Sequence, residues 1–331
     1  MAQPSKAGRP EEAGTIGGPA QARAIEVMHQ MRRVFRWIGI AVAAVVVLAL
    51  LGAATVAVAS WRRIGRVHSV NVVVPRSIPS DTAAIERGKH LATAMGSCTY
   101  CHGPDLGGQM IQEPSLFGTL AAPNLTRGAG GLGATFTEGD WVRAIRHGIH
   151  PDGTSLLVMP SEAFVFMNET DLADLIAYLK QLPAVDRDMP SSRLGPLGRT
   201  LLVAGQVSLI TDRTPVLPFP AIVPPGPTLE YGRYLAGYTG CIGCHGPGLS
   251  GGYVEGPPGA PPAANLTPDP TGLANWTETD FDHALRRGVR KNGTPIDIFM
   301  PWPNFSGMTD LEVKALWLYV SSVPAKPFGN K

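Results

Sequence analysis

The chain has 331 residues, 28 Lys and Arg against 26 Asp and Glu for a net charge of +2, and only four cysteines. That length is enough for two domains of ordinary size, and so even a balance excludes a polyelectrolyte arm. The charge is nevertheless split, with nine basic and three acidic residues in 1–66 and 19 and 23 in 67–331. The basic excess belongs to the N-terminal segment, no basic patch with interleaved aromatics occurs, and nucleic acid is not an expected partner.

Residues 1–36, rich in Gly, Ala, Pro and Gln at their start, read as a disordered cytoplasmic tail. Residues 37–61 then run uncharged from Trp37 to Trp61. As a helix, 25 residues extend roughly 37 Å, enough to cross a hydrocarbon core of about 30 Å. A tryptophan at each end suits the membrane interface. A cleaved signal peptide is the rival reading, because Ala57-Val58-Ala59 resembles a cleavage site. The long polar stretch before the run and the length of the run favour a retained anchor. Arg32, Arg33 and Arg36 on one side balance Arg62, Arg63 and Arg66 on the other, so charge does not set the orientation. Residues 62–80 read as a linker.

The first helical pattern, 82–95, follows Asp81 as N-cap. Next comes Cys98-Thr99-Tyr100-Cys101-His102, and much later Cys241-Ile242-Gly243-Cys244-His245. C-x-x-C-H is the attachment signature of a c-type haem: two thiols bond the porphyrin edge and the adjoining His supplies the proximal imidazole. A zinc site or a C-x-x-C disulfide is the competing reading. The adjoining histidines and the wide separation of the pairs argue for haem, and two motifs argue for two covalently bound haem c groups.

The motifs sit in a long internal repeat at offsets of 139 to 143 residues. Pro123-Asn124-Leu125-Thr126 reads against Ala264-Asn265-Leu266-Thr267, and Met159-Pro160 against Met300-Pro301. Thr170-Asp171-Leu172 reads against Thr309-Asp310-Leu311. Helices are expected over about 138–147 and 278–287, 229–238, 170–182 and 309–322. The segment 189–227, with its many prolines, reads as a stiff connector. Within it 197–210 reads as an amphipathic helix packed between domains, or against a partner or the membrane. The two repeat domains are expected over 81–188 and 228–331.

The repeat also selects the distal iron ligands. Met159 and Met300 precede prolines, which hold them in extended loops. Met167 and Met308 are a second matched pair, but they stand before helix starts, where Met more often fills a core. His147, His150 and His283 have no histidine counterpart. His90 falls against Tyr234 and reads as a packed helix residue, and His68 has no match.

With these motifs the chain resembles the class I cytochrome c family over about 82–184 and 228–325. The resemblance implies an all-α architecture, an N-terminal transmembrane helix followed by two tandem cytochrome c domains. It also implies that a backbone carbonyl, at Pro123 and at Ala264, accepts a hydrogen bond from each proximal histidine. It further implies that Gly88 and Gly232 meet an aromatic of the last helix, for which Tyr178 and Tyr319 are the candidates. Haem is attached outside the cytoplasmic membrane in that family, so both domains are expected on the periplasmic side of a single-pass protein in the inner membrane.

The site residues expected are thus Cys98, Cys101, His102, Pro123 and Met159, and Cys241, Cys244, His245, Ala264 and Met300. With His and Met filling both axial positions of each iron, no position is left for a substrate. The expected role is electron carriage in a respiratory or photosynthetic chain rather than catalysis. Expected partners are a quinol-oxidising complex, a dehydrogenase, an oxidase, a reaction centre or a soluble cytochrome. The layout is similar to the cytochrome subunits of periplasmic dehydrogenases and to the dihaem subunit of cbb3-type oxidases. A dihaem peroxidase-like enzyme is the alternative, and the matched Met-Pro pairs argue against it. The apolar Ile298-Phe299-Met300-Pro301-Trp302 run makes the second iron the expected drier site, with the higher potential.

Overall fold

The computed structural model describes residues 19–252 and 261–329. The chain divides into two compact units, Met1–Val58 and Ala59–Lys331.

In the first unit, α1 (Pro19–Ile64, which runs on into the second) is exposed along its apolar run from Trp37 to Thr55. It is long and apolar enough to cross a membrane. The helix starts at Pro19, well before Trp37, so residues 19–36 are helical where the sequence suggested a disordered tail. Ala, Gln, Arg, Glu and Met are good helix formers, and no Pro or Gly interrupts them after Pro19. Residues 1–18 lie outside the described residues.

The second unit holds both repeats. The first comprises α2 (Thr82–His90), α3 (Cys98–His102), α4 (Glu138–His147), α5 (Ser161–Phe164) and α6 (Glu169–Leu179). Between α2 and α3 lies a π-helical turn, Leu91–Met95. The repeat also contains β1 (Gln109–Gln112) and β2 (Gly118–Ala122). The connector supplies β3 (Arg193–Leu194), α7 (Pro196–Val203) and α8 (Ile210–Arg213). The second repeat comprises α9 (Leu229–Tyr238), α10 (Cys241–His245), α11 (Glu278–Arg287), α12 (Trp302–Phe305) and α13 (Asp310–Ser322).

Helix ends follow local chemistry. The Asp81 side chain accepts from the Ala84 N–H. Thr137 with Asp140, and Thr277 with Asp280, form reciprocal capping boxes at α4 and α11. Gly148 and Gly288 close the same helices in the left-handed region, where a Cβ is penalised. In each repeat the first helix crosses the last at a glycine. A Cβ on Gly88 would stand 2.0 Å from the Asp174 carbonyl oxygen and 2.9 Å from the Tyr178 Cβ. On Gly232 the distances would be 2.0 Å to the Ala315 carbonyl oxygen and 2.8 Å to the Tyr319 Cβ.

The structure corrects the pairing of the last helices. Asn168 caps α6 by accepting from Asp171 N–H, and Thr309 caps α13 by accepting from Glu312 N–H. Asp171 therefore corresponds to Glu312, not to Asp310. The three-residue match misled because Thr-Asp-Leu recurs two positions out of phase.

The connector is also more than a spacer. β1, β2 and β3 form a small antiparallel sheet in that order, with Gln109 opposite Ala122 and Gly118 opposite Leu194. A bulge at Ile111 shifts the register between Met110 and Gln112. α7 packs on β2 of the first repeat and on the connector's own β3 rather than between the two repeats. Farther along, the buried Arg146 guanidinium donates to the carbonyls of Val165, Leu217 and Pro218 and lies 4.1 Å from the Phe219 ring centroid. It fastens the extended, proline-rich part of the connector to α4.

The two repeats meet through a pseudo-two-fold arrangement. The first helix of each repeat bears on the last helix of the other. His90 Nε2 lies 2.9 Å from both Glu312 carboxylate oxygens, while the Tyr234 hydroxyl donates to Asp171 Oδ2 at 2.5 Å. A second reciprocal pair matches Gly237 under Phe166 with Ala94 beside Gly307. One hydrophobic core, running from Leu91 to Val320, joins both repeats.

Candidate haem sites

Each C-x-x-C-H motif forms a single helical turn entered through a left-handed residue, Ser97 (φ 50°) or Gly240 (φ 86°). The turn places the two cysteines three positions apart, on one side. Cys98, Cys101 and Cys241 are half-buried and Cys244 is exposed. Burial pushes the Cys98 thiol up to about 12, and Cys101 adds to the shift. Burial likewise raises the Cys101 and Cys241 thiols.

The histidines that close the motifs are buried, each 8% exposed. His102 Nδ1 lies 2.8 Å from the Pro123 carbonyl oxygen, and His245 Nδ1 lies 2.7 Å from the Ala264 carbonyl oxygen. A carbonyl only accepts, so Nδ1 carries the proton and Nε2 keeps a lone pair. Desolvation lowers both imidazole pKa values, although the carbonyl bond opposes it. The neutral imidazole is the form a metal requires. Replacing Pro by Ala at 264 leaves the backbone acceptor in place.

The loop after each histidine is built on a bulky residue in a strained conformation. Leu106 and Leu249 have φ of 53° and 57° and are each 1% exposed. A leucine there is a rare and costly choice. Its N–H donates to Gly103 or Gly246, and its carbonyl accepts from Leu125 or Leu266. The next turn returns Gly108 N–H to the His102 carbonyl and Gly251 N–H to that of His245.

Asn124 and Asn265 form a clamp whose role the sequence did not disclose, although the repeated Asn-Leu-Thr was its signal. Both are almost fully buried. Asn124 Oδ1 accepts from the Thr126 N–H and hydroxyl, and its amide donates to the Val185 carbonyl at 2.7 Å. Asn265 does the same with Thr267 and the Lys326 carbonyl, also at 2.7 Å. The segment carrying each histidine's acceptor is thereby tied to the chain leaving the last helix.

The four methionines separate by environment. Met167 and Met308 are buried at 0% and 3% exposure in the core. Met159 and Met300 are half-buried, on loops, and pack against that core. The second loop is not the drier one. Ile298 is 63% exposed against 39% for Val158, and 291–295 are exposed throughout. Apolar composition did not translate into burial, because the loop lies at the rim with Phe305, rather than Ile298, turned into the core.

The donor set fits a haem and not zinc. Among the described residues no group of three or more His, Cys, Asp and Glu comes together, so the two C-x-x-C pairs do not share an ion. The Trp141 and Trp302 indole N–H groups, one in each repeat, are buried without a partner.

The family profile for cytochrome c matches residues 85–183 and 229–324, more than half of the chain. The chain is 38% identical over 97 residues to the cytochrome c subunit of a quinone-dependent alcohol dehydrogenase from Gluconacetobacter polyoxogenes, covering 28% of this chain and 21% of that one. The match thus spans about a fifth of that relative's length. A nicotinate dehydrogenase subunit of Pseudomonas putida is 28% identical over 279 residues, 77% of this chain and 23% of that one. A diheme cytochrome c-type protein of Cereibacter sphaeroides is 28% identical over 278 residues, 74% of this chain and 87% of that one. Two such domains carry two covalently bound haem c groups. The chain belongs to the cytochrome c family.

Proposed function

We propose that this protein is a membrane-anchored electron carrier in which two haems are held by matched residue sets. Cys98 and Cys101 would hold the first haem covalently through thioether bonds, and His102 and Met159 would ligate its iron. Cys241, Cys244, His245 and Met300 play the same parts in the second. Bound haem iron supplies one-electron redox chemistry, and Met/His ligation sets it at a raised potential. The chain's own residues hold the imidazoles: the carbonyls of Pro123 and Ala264 fix their orientation and tautomer. Helix α1 retains the protein in the cytoplasmic membrane, with both domains on the periplasmic side.

The observation that carries this reading is the repeated imidazole–carbonyl bond, at 2.8 and 2.7 Å, behind each C-x-x-C-H turn. For partners, the likeness to dehydrogenase cytochrome subunits supports a periplasmic dehydrogenase as donor. An oxidase, a reaction centre or a soluble cytochrome is the acceptor. Met159→His and Met300→His variants test the ligand assignment. Each is expected to abolish the sulfur-to-iron charge-transfer band of one haem and to lower one of two potentials. The more enclosed first loop makes the Met159 haem the higher of the two, and the titration reads which potential moves. A full charge-transfer band in either variant would remove that methionine from the ligand set.

A further inference from the structure

We propose that Asn304 is a positioning residue for the second haem, seating Met300 through a hydrogen bond to the attachment turn of the first. The proposal rests on the reading of Met300 as the distal ligand. Asn304 follows Met300 in α12, a single turn, and is half-buried. Its side-chain amide donates to the Thr93 carbonyl at 2.9 Å and to Thr99 Oγ1 at 2.6 Å. A carbonyl only accepts, so Nδ2 must face Thr93 and the amide has one orientation. Thr99 lies between Cys98 and Cys101, inside the first C-x-x-C-H turn. A Cβ at Gly307 would stand 3.1 Å from the Ala94 Cβ, so the same loop also lies close against the π-helical turn that leads into that motif. All of these contacts fall within the Ala59–Lys331 unit.

In the first repeat the same places hold other residues. Met159-Pro160 matches Met300-Pro301, which puts Ala163 at the position of Asn304 and Ile242 at that of Thr99. Neither side chain can hydrogen-bond, so the bridge runs one way only. The first methionine loop is held instead by chain laid over it. His68 N–H donates to the Gly153 carbonyl at 2.8 Å, Thr211 N–H donates to Ser155 Oγ at 3.2 Å, and Arg213 pairs with Glu162 at 3.3 Å. Among the described residues the second loop has no such cover. Residues 291–295 are exposed, and a Cβ at Gly293 would meet nothing within 4 Å, where one at Gly153 would stand 2.7 Å from Val67 Cγ1. Its own ties are exposed ones, Arg290 to the Pro295 carbonyl and Lys291 to Asp280. Met300 is therefore fixed from the side that follows it. Trp302 N–H donates to the Met300 carbonyl at 2.7 Å, the Trp302 ring closes on Gly288, and Phe305 is buried. A single helical turn does not hold itself in place, and Asn304 supplies its polar hold on the other repeat. The distal side of one haem site thus depends on a residue inside the binding motif of the other.

The test uses the full haem-loaded chain in a Met159→His background, where the sulfur-to-iron charge-transfer band reports Met300 alone. Added imidazole displaces the methionine sulfur from the ferric protein, and the decay of that band gives a rate set by how readily the loop lets the sulfur leave. Thr99→Val removes the acceptor without touching the repeat of Met300, and is expected to raise the rate roughly fivefold, the size of one ordinary hydrogen bond. Asn304→Ala, which installs the residue of the matching position, loses the Thr93 bond as well and is expected to raise it further. The double variant is expected to equal Asn304→Ala, because the Thr99 bond can be lost only once. Thr99→Ser keeps the hydroxyl and is expected to hold the parent rate. In a Met300→His background the band is that of Met159, and there Asn304→Ala is expected to leave the rate unchanged. The parent rate in both Thr99→Val and Asn304→Ala, or an equal rise in the two backgrounds, would overturn the proposal and leave Met300 as the ligand. Absence of the band from the Met159→His parent would remove Met300 from the ligand set, and the proposal with it.

Discussion

His147 shows how one side chain ties stability to pH. It is 4% exposed, its Nδ1 has no partner, and burial together with the positive Arg146 and Arg143 pushes its pKa down to about 4. An unfolded histidine titrates near 6.5. Between those values the unfolded chain binds a proton that the folded chain refuses, so the stability present above pH 6.5 is lost as pH falls toward 4. His147→Asn is expected to flatten that slope, by about 2 kcal/mol between pH 7 and 4.5, in denaturant unfolding across the range. An unchanged slope would place the acid sensitivity elsewhere. None of this was legible in the sequence, where His147 is only an unmatched histidine. The imidazole–carbonyl pairs were legible only through resemblance, because a backbone acceptor leaves no residue-type signature and Pro123 corresponds to Ala264.

At the scale of elements, the sequence was most informative where a helix carries its own end signals. α4, α11 and α9 run over 138–147, 278–287 and 229–238, the spans expected from the repeat and its helical spacing, and threonines cap the start of each. The sheet was invisible: its strands are two to five residues long, and β3 joins from more than 70 positions away. Long-range pairing of that kind has no local pattern to read. The phase of the last helices was misread because a short sequence match outweighed the capping position. The crossing glycines are the elements' most sensitive points. Gly88→Ala or Gly232→Ala drives a Cβ into a backbone carbonyl that cannot retreat, and each is expected to cost about 2–3 kcal/mol. Thermal melts followed at the haem bands would measure the loss. A cost below about 0.5 kcal/mol, the level of an ordinary surface change, would show that the helices can separate there.

At the scale of the whole molecule, two repeats linked by a long connector could be independent beads, yet they share one core and a reciprocal set of polar contacts. Arg87 pairs with Asp171 at 2.5 Å, and Asp171 in turn accepts from Tyr234 of the other repeat. The same tyrosine oxygen receives the Asn168 amide at 2.8 Å. Burial, with the nearby Asp171, raises the phenol pKa far above its ordinary value, so the group stays a neutral donor. Tyr234→Phe leaves the Asn168 backbone N–H without its acceptor and reduces Asp171 Oδ2 to the longer 3.3 Å bond from the Asn168 amide, at an expected cost of about 2 kcal/mol. Scanning calorimetry of the full chain is expected to show one transition for both domains that shifts as a whole. Two transitions, only one of them displaced, would mean that the domains fold separately.

The π-helical turn at Leu91–Met95 has a consequence for how the two copies came to differ. Ten positions separate Gly88 from Cys98, but only nine separate Gly232 from Cys241. Each added helical residue rotates the chain beyond it by about 100°, so an extra residue in a plain helix would swing the first haem-binding turn away from its cavity. The wider turn absorbs that residue as a local bulge, with Gly96 N–H reaching back to the Leu91 carbonyl at 2.6 Å. It works as a phase corrector, keeping crossing glycine and cysteines in the same angular relation in both copies. Deleting Ala92 is therefore expected to yield an ordinary helix like α9 with haem attachment intact, whereas the same deletion in α9, which has no bulge to release, is expected to abolish attachment of the second haem.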